Sequence, residues 1–228
     1  MEIRTPDEKF YGRIKSRALT QRQILLFDKL SGIFISSIND VHFDNKELFL
    51  EIGFGSGEHI AQMAVKNPDK VFIGCEPFIN GIASLLGKID DNNIRNIFIF
   101  QGDARIFMKE SPNDFYSGVF LLFPDPWPKR RHIRRRFIQE KTILEMGRIL
   151  KKGTYWRIAS DQPEYKKWIL NNFSKDPAAT IFSYETFNAL SRPSEEIWPK
   201  TRYEKKATED ILYLIAFKSS LSTVSPNN

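Results

Sequence analysis

From Glu47 onward the chain alternates short apolar runs with stretches of helical period. ELFLEI precedes a helical stretch over 58–66, KVFIGCE one over 79–88, NIFIFQ one over 104–109, GVFLLF one over 136–150 and GTYWRIA one over 164–173. Strands separated by helices cannot be joined by hairpins, so the pattern predicts an α/β fold: a parallel sheet with helices on both faces. DILYLIAF adds a last strand near the C-terminus. Ahead of the alternation, Thr20 to Ile38 carries Ile24, Leu25, Phe27, Leu30, Ile33 and Phe34 at helical spacing, which predicts an N-terminal helix packed on the main domain. The stretch from Ser183 to Asp210 is polar and reads as a long irregular loop, and the tail SSLSTVSPNN reads as disordered. A chain of 228 residues holds one such domain with a modest appendage. The expected division is a basic arm and helix over 1–45, the α/β domain over 46–218 and the tail over 219–228.

The first strand runs into Glu51-Ile52-Gly53-Phe54-Gly55-Ser56-Gly57 and then a helix, which is where open α/β sheets bind a nucleotide. Gly53, Gly55 and Gly57 let a ligand approach the backbone closely. The second strand ends in Glu76, whose carboxylate can accept from both ribose hydroxyls. The third ends in Gly102-Asp103-Ala104, whose carboxylate suits an exocyclic adenine amine. Either acid alone is more often a helix N-terminal charge; the order on three successive strands is what favours a nucleotide ligand. Glu58 stands where the pattern G-x-G-x-x-G wants its third glycine, which argues against a dinucleotide.

Between Phe120 and Arg136 the chain reads FLLFPDPWPKRRHIRRR. Pro124, Pro126 and Pro128 fix three φ angles and remove three backbone donors, so a stiff loop leaves the fourth strand with Asp125 aimed from it. Lys129, Arg130, Arg131, Arg134, Arg135 and Arg136 follow at once. Lys and Arg total 34 against 28 Asp and Glu, an excess that would be ordinary solubilising charge if it were scattered. It clusters instead in this tract and at Arg13, Lys15, Arg17 and Arg22, as a polyanionic partner such as RNA requires.

The single Cys75 excludes an intrachain disulfide and any multi-thiolate metal site. Its apolar setting suggests a packed core thiol, no metal is expected, and the expected compartment is the cytoplasm. No apolar run approaches the roughly twenty residues of a membrane span, and MEIRTPDEKF is charged from the outset, so neither export nor insertion is expected.

EIGFGSG, the acidic end of the second strand, GDA, and PDPWPKRRH followed by further arginines together resemble the S-adenosylmethionine-dependent tRNA (guanine-N7-)-methyltransferase family, from about Gly12 to Phe217. PDPWPKRRH is the most specific of these motifs. The resemblance implies a Rossmann-like class I methyltransferase with a seven-stranded sheet, S-adenosylmethionine as cofactor, and methylation of a variable-loop guanosine of tRNA at position 46. It implies further that Glu51, Glu76, Asp103 and Asp125 line the cofactor. Lys129, Asp161, Thr201, Arg202, Tyr203 and Glu204 would meet the substrate nucleotide, and Arg131, His132, Ile133, Arg134, Arg135 and Arg136 the RNA.

That reaction needs no histidine, because guanine N7 carries a lone pair and no proton at neutral pH. His42, His59 and His132 form no cluster, and His59 reads as a helix-surface residue. A carboxylate where positive charge develops would stabilise the transition state, and Asp125 is the first candidate. Asp161 alone would be an ordinary N-cap for a helix starting near Pro163. Glu204 could accept the N1–H and N2–H₂ donors of a splayed-out guanine, and Trp127, Trp198 and Tyr203 could stack on it. The rivals are a nucleotide-dependent oxidoreductase and a catalytically silent RNA-binding subunit; the intact set of carboxylates speaks against the second.

Overall fold

The computed structural model of the chain describes residues 12–40, 45–194, 198–207 and 210–220. The first part of the basic arm, His42 and the tail from 221 onward lie outside the described residues.

Seven strands form one sheet in the order β3-β2-β1-β4-β5-β7-β6. They are β1 (Leu48–Ile52), β2 (Val71–Cys75), β3 (Ile97–Phe100), β4 (Tyr116–Leu122), β5 (Leu150–Ser160), β6 (Phe182–Phe187) and β7 (Leu212–Lys218). The first five pair in parallel, and β7 runs antiparallel between β5 and β6. β1, β2 and β4 are buried along their whole length, as continuous apolar runs require when helices cover both faces.

The helices α1 (Gln21–Lys29), α2 (Glu58–Lys66) and α3 (Ile79–Asp91) cover the face that carries Phe49, Phe72 and Phe120. The opposite face, with Leu48, Leu50, Ile73 and Leu121, packs on α4 (Ala104–Glu110), α5 (Glu140–Ile149), α6 (Pro163–Phe173) and the short α7 (Ala178–Ile181). The five-residue α8 (Arg202–Lys206) precedes β7.

Three expectations need correction. The helix expected over Thr20 to Ile38 stops at Lys29, because Ser31 and Gly32 favour a 3₁₀ turn, after which the Ile35 amide donates to the Ile99 carbonyl at 3.0 Å. The helix expected from Arg136 begins instead at Glu140, with Arg130–Arg135 in a 3₁₀ turn before it. The stretch read as irregular from Ser183 holds the edge strand β6 and the helix α8. The alternation of β6 was obscured because its residues from Ser183 to Thr186 are exposed and polar or amphipathic, as on a protected edge.

The sequence order reverses between β1 and β4, and there the loops leaving both strands diverge to open a crevice. The glycine loop after β1 takes positive φ at Gly53, Gly55 and Gly57 and is pressed against the first turn of α3. An ideal Cβ on Gly81 would lie 2.3 Å from the Gly55 carbonyl oxygen, a backbone atom that cannot swing away. Gly81→Ala is therefore expected to destabilise the fold by about 1–3 kcal/mol through overpacking. Gly87→Ala, on the same helix with nothing within 4 Å of the added carbon, should stabilise by up to about 1 kcal/mol. Thermal melts that put the two variants together would contradict this account of the glycine loop.

Candidate active site

The crevice is a cavity of about 520 Å³, within the range of roughly 300–1,000 Å³ typical of small-molecule sites. Glu51, Gly53, Gly55, Glu76, Asp103, Ala104, Asp125, Thr201 and Tyr203 all line it. Four carboxylates carried by the ends of four strands thus meet in one space, although 74 residues separate the first from the last.

Each acid is held differently. Glu76 is buried and accepts the amides of Gly55 at 2.8 Å and Phe78 at 2.9 Å, so the carboxylate clamps the glycine loop to the start of α3. Burial, opposed by those two amides and reinforced by Asp125 and Glu51, raises its pKa from 4.5 to about 6. Asp103 caps α4 by accepting from the Arg105 amide at 3.0 Å and pairs with the Arg105 guanidinium, so its reading as a helix-terminal charge holds alongside its place in the cavity wall. Asp125, exposed at the rim of the cavity, makes no hydrogen bond or ion pair with any described residue, and its partial desolvation there raises its pKa.

Glu51 has a partner that sequence reasoning misplaced. His59 is 1% exposed, not a helix-surface residue; its Nδ1 lies 2.6 Å from Glu51 Oε2, and its ring meets Phe120 edge-on at 4.7 Å. A signal was available, since His59 shares the buried stripe of α2 with Ile60, Met63 and Ala64.

The Pro-rich loop is fixed from below by a residue expected to touch RNA. Arg136 is buried; its Nε donates to the Pro126 carbonyl at 2.9 Å, and its guanidinium lies over Tyr165 and Trp168 at 5.4 and 5.1 Å. These contacts commit to the loop itself a charge that was assigned to phosphate. Arg135 lies over the Trp127 ring at 5.0 Å, and Ile133 is half-buried with its carbonyl accepting from Gln139 at 2.9 Å. Lys129, Arg130, Arg131 and Arg134 remain exposed, and partial burial together with the neighbouring cations lowers the pKa of His132.

Several other expected residues stand off the cavity. Gly57 forms the entry to α2 and packs on Leu85. Asp161 follows β5 without capping α6, whose N-cap is Gln162, and Arg202 is exposed on α8. Glu204, expected to face a guanine, is buried: its Oε1 accepts from the Tyr213 hydroxyl at 2.6 Å and lies 3.1 Å from Arg192 Nε. Trp198 is fully buried and meets Tyr213 edge-on at 5.3 Å, so it offers no stacking surface. With Thr201, which caps α8 by accepting from the Glu204 amide at 3.0 Å, these groups seat α8 and leave Tyr203 62% exposed above the cavity.

The raised pKa of Glu76 has a sign that can be measured. Folding favours the protonated form, so its stabilising contribution is complete below about pH 4.5 and is lost as pH rises through about 6. The shift corresponds to about 2 kcal/mol. Urea unfolding between pH 4.5 and 6.5 should show the wild type losing about that much stability relative to Glu76→Gln; parallel pH profiles would contradict it.

Comparison with known proteins agrees with this architecture. Residues 45–211 match the profile of a family described as a putative methyltransferase. The chain is 39% identical over 207 residues to the tRNA (guanine-N(7)-)-methyltransferase of Zymomonas mobilis, covering 88% of this chain and 89% of that protein. It is 36% identical over 218 residues to the Ruegeria protein of the same name, covering 90% and 84%. Among solved structures, a precorrin-6y C5,15-methyltransferase from Geobacter metallireducens superposes with a TM-score of 0.53 at 12% identity, covering 86% of this chain and 87% of that one. A 16S rRNA (adenine(1408)-N(1))-methyltransferase from Catenulisporales acidiphilia gives 0.52 at 14% identity over 92% and 99%. At such identities the likeness is one of fold, and the fold is the Rossmann-like one of class I methyltransferases. No helix among the described residues is long and apolar enough to cross a membrane. With its acidic cavity at the sheet's reversal point and relatives matched over nearly its whole length, the chain belongs to the tRNA (guanine-N(7)-)-methyltransferase family.

Proposed function

We propose that this protein transfers the methyl group of S-adenosylmethionine to N7 of a guanine in the variable loop of tRNA, at position 46, in the cytoplasm. The observation that carries the reading is the convergence of Glu51, Glu76, Asp103 and Asp125 on one cavity, beside which the exposed cations Lys129, Arg130, Arg131 and Arg134 follow in the chain. The names of the relatives support the reaction and the tRNA substrate.

The residues fit the cofactor. An ideal Cβ on Gly53 would meet nothing within 4 Å, so the backbone there is open to a ligand. The lone pairs that Glu76 does not use on backbone amides suit two ribose hydroxyls. Sulfonium and ammonium groups need anions, which Glu51 and Asp125 supply. Arg13 lines the same cavity, and its side chain pairs with no described residue, so it suits the cofactor's carboxylate. When bound, the cofactor provides an electrophilic methyl group on cationic sulfur.

The chain itself has to align the base and stabilise the charge that passes to it. No residue has to remove a proton from guanine N7, in keeping with a buried His59 already engaged by Glu51. Alignment contributes several kcal/mol. Asp125, unpaired among the described residues at the edge of the cavity, is the carboxylate best suited to face the developing positive charge. Thr201 and Tyr203 line the cavity; together with Lys129, Asp161 and Arg202 they are assigned to the nucleotide, with Glu204 acting through α8. Mass mapping of the nucleoside formed in unmodified tRNA tests the reaction and the position together.

Two variants test the division of labour. Asp125→Asn keeps size and removes charge, so single-turnover methyl transfer at saturating tRNA and cofactor should slow by about a hundredfold or more; a near-wild-type rate would leave Asp125 a turn residue. Arg131→Ala combined with Arg134→Ala should weaken tRNA binding and lower its logarithmic salt slope by roughly 0.7–0.9 for each phosphate left unneutralised. An unchanged slope would make this face merely solvated.

A further inference from the structure

Five described residues other than glycine adopt positive φ: Asn45, Asn93, Asp114, Phe123 and Trp127. Asn and Asp tolerate this conformation, whereas bulky aromatic side chains do so at a cost in strain. The two aromatic cases flank Asp125 on either side. At Phe123, where φ is 53°, the amide still pairs with the Ala159 carbonyl at 2.8 Å, so the main chain continues its course beside β5 while the twist re-aims the ring into the cavity wall.

There the ring faces Tyr203. The two rings are nearly parallel, at 19°, with centroids 6.3 Å apart. Tyr203 Cε2 also lies 3.7 Å from the position of an ideal Cβ on Gly55, so the pair reaches from the glycine loop to the strand end that carries Asp125. Tyr203 stays exposed on a helix seated by Thr201, Glu204, Tyr213 and Arg192, and a large aromatic side chain held rigidly in solvent gains little from its own fold. Two π-faces at the opening of a cavity, one in a strained conformation and one anchored in solvent, are what a base displaced from its stack requires.

We infer that Phe123 is the fixed inner platform on which the target guanine stacks and that determines placement of N7, and that Tyr203, whose exposed ring now faces Phe123 with centroids 6.3 Å apart, too close to hold a base between them, swings outward to close the aromatic clamp on the other face of the base. The inference rests on the proposed methylation of tRNA guanine and adds to it the residue that holds the base in plane. The ring acts by its face and edge area alone; no proton or bond is exchanged with it.

The test uses the full chain, S-adenosylmethionine and unmodified tRNA, after the methylated position has been mapped with the wild type. Phe123→Leu, which keeps apolar bulk and removes the π-face, should lower single-turnover kcat/KM for tRNA by about tenfold or more, with the dissociation constant for S-adenosylmethionine and the melting temperature held near wild type. Phe123→Trp should recover most of that loss. With 2-aminopurine at the mapped position, the fluorescence change on binding should shrink in the Leu variant and return in the Trp variant. Wild-type protein that methylates no tRNA guanine would refute the proposed function instead. Wild-type-like turnover by a folded Phe123→Leu would overturn the clamp, and so would a loss of cofactor affinity that accounts for the whole defect. Should Phe123→Leu melt early, Tyr203→Leu with Tyr203→Phe as its conservative counterpart decides by the same criteria.

Discussion

Ile52 pairs in parallel with Cys75 on one side and Leu121 on the other, and Cys75 pairs in turn with Phe100. This register makes four neighbouring strands end at one level. It follows that the residues just beyond them, Gly53, Glu76, Asp103 and the loop holding Asp125, leave the sheet together. The pairing depends on uninterrupted burial of β1 between its neighbours, and a slip of one residue would turn Glu51 to the opposite face, away from α2 and His59.

Four carboxylates in one partly enclosed space would repel one another and pay for desolvation if all were equally bare. The structure grades them. Glu51 is engaged by His59 Nδ1, Asp103 pairs with Arg105 and caps α4, and Glu76 accepts two backbone amides that offset only part of the pKa rise its burial causes; Asp125 alone of the four has no partner among the described residues. The gradient runs from acids that shape the cavity to one that is available to a ligand. Function and stability oppose each other most at Glu76, where the buried carboxylate that clamps the glycine loop is also one the fold prefers protonated.

The cationic tract shows a similar division between scaffold and surface. Arg136 is withdrawn to hold the carbonyl of Pro126, which lets a loop short of its own donors adopt one position. Arg135 stacks on Trp127, and the charges left outward, Lys129, Arg130, Arg131 and Arg134, lie on a compact 3₁₀ turn beside Asp125. Stacking and strain are concentrated at the same place: among the described residues, Phe123 and Trp127, on either side of Asp125, are the bulky side chains at positive φ.

What the sequence determined by itself was the part governed by local periodicity and chain order. Alternating apolar runs implied a parallel sheet, the glycine loop and the acids at the strand ends implied a ligand at their carboxyl edge, and three prolines implied a stiff loop aiming Asp125. Such signals are local because each depends on backbone preference or on a pattern a few residues long. Only the tertiary structure decided which charged and aromatic side chains face the ligand. His59 turned inward because its helix face meets Glu51. Arg136 turned inward because the Pro-rich loop needed a donor. Glu204 and Trp198 became the seat of α8 because Tyr213, on a strand later in the chain, lies beneath them. In a run such as RRHIRRR or TRYE nearly every residue is charged or polar, as on a surface, and burial is assigned by partners elsewhere in the chain.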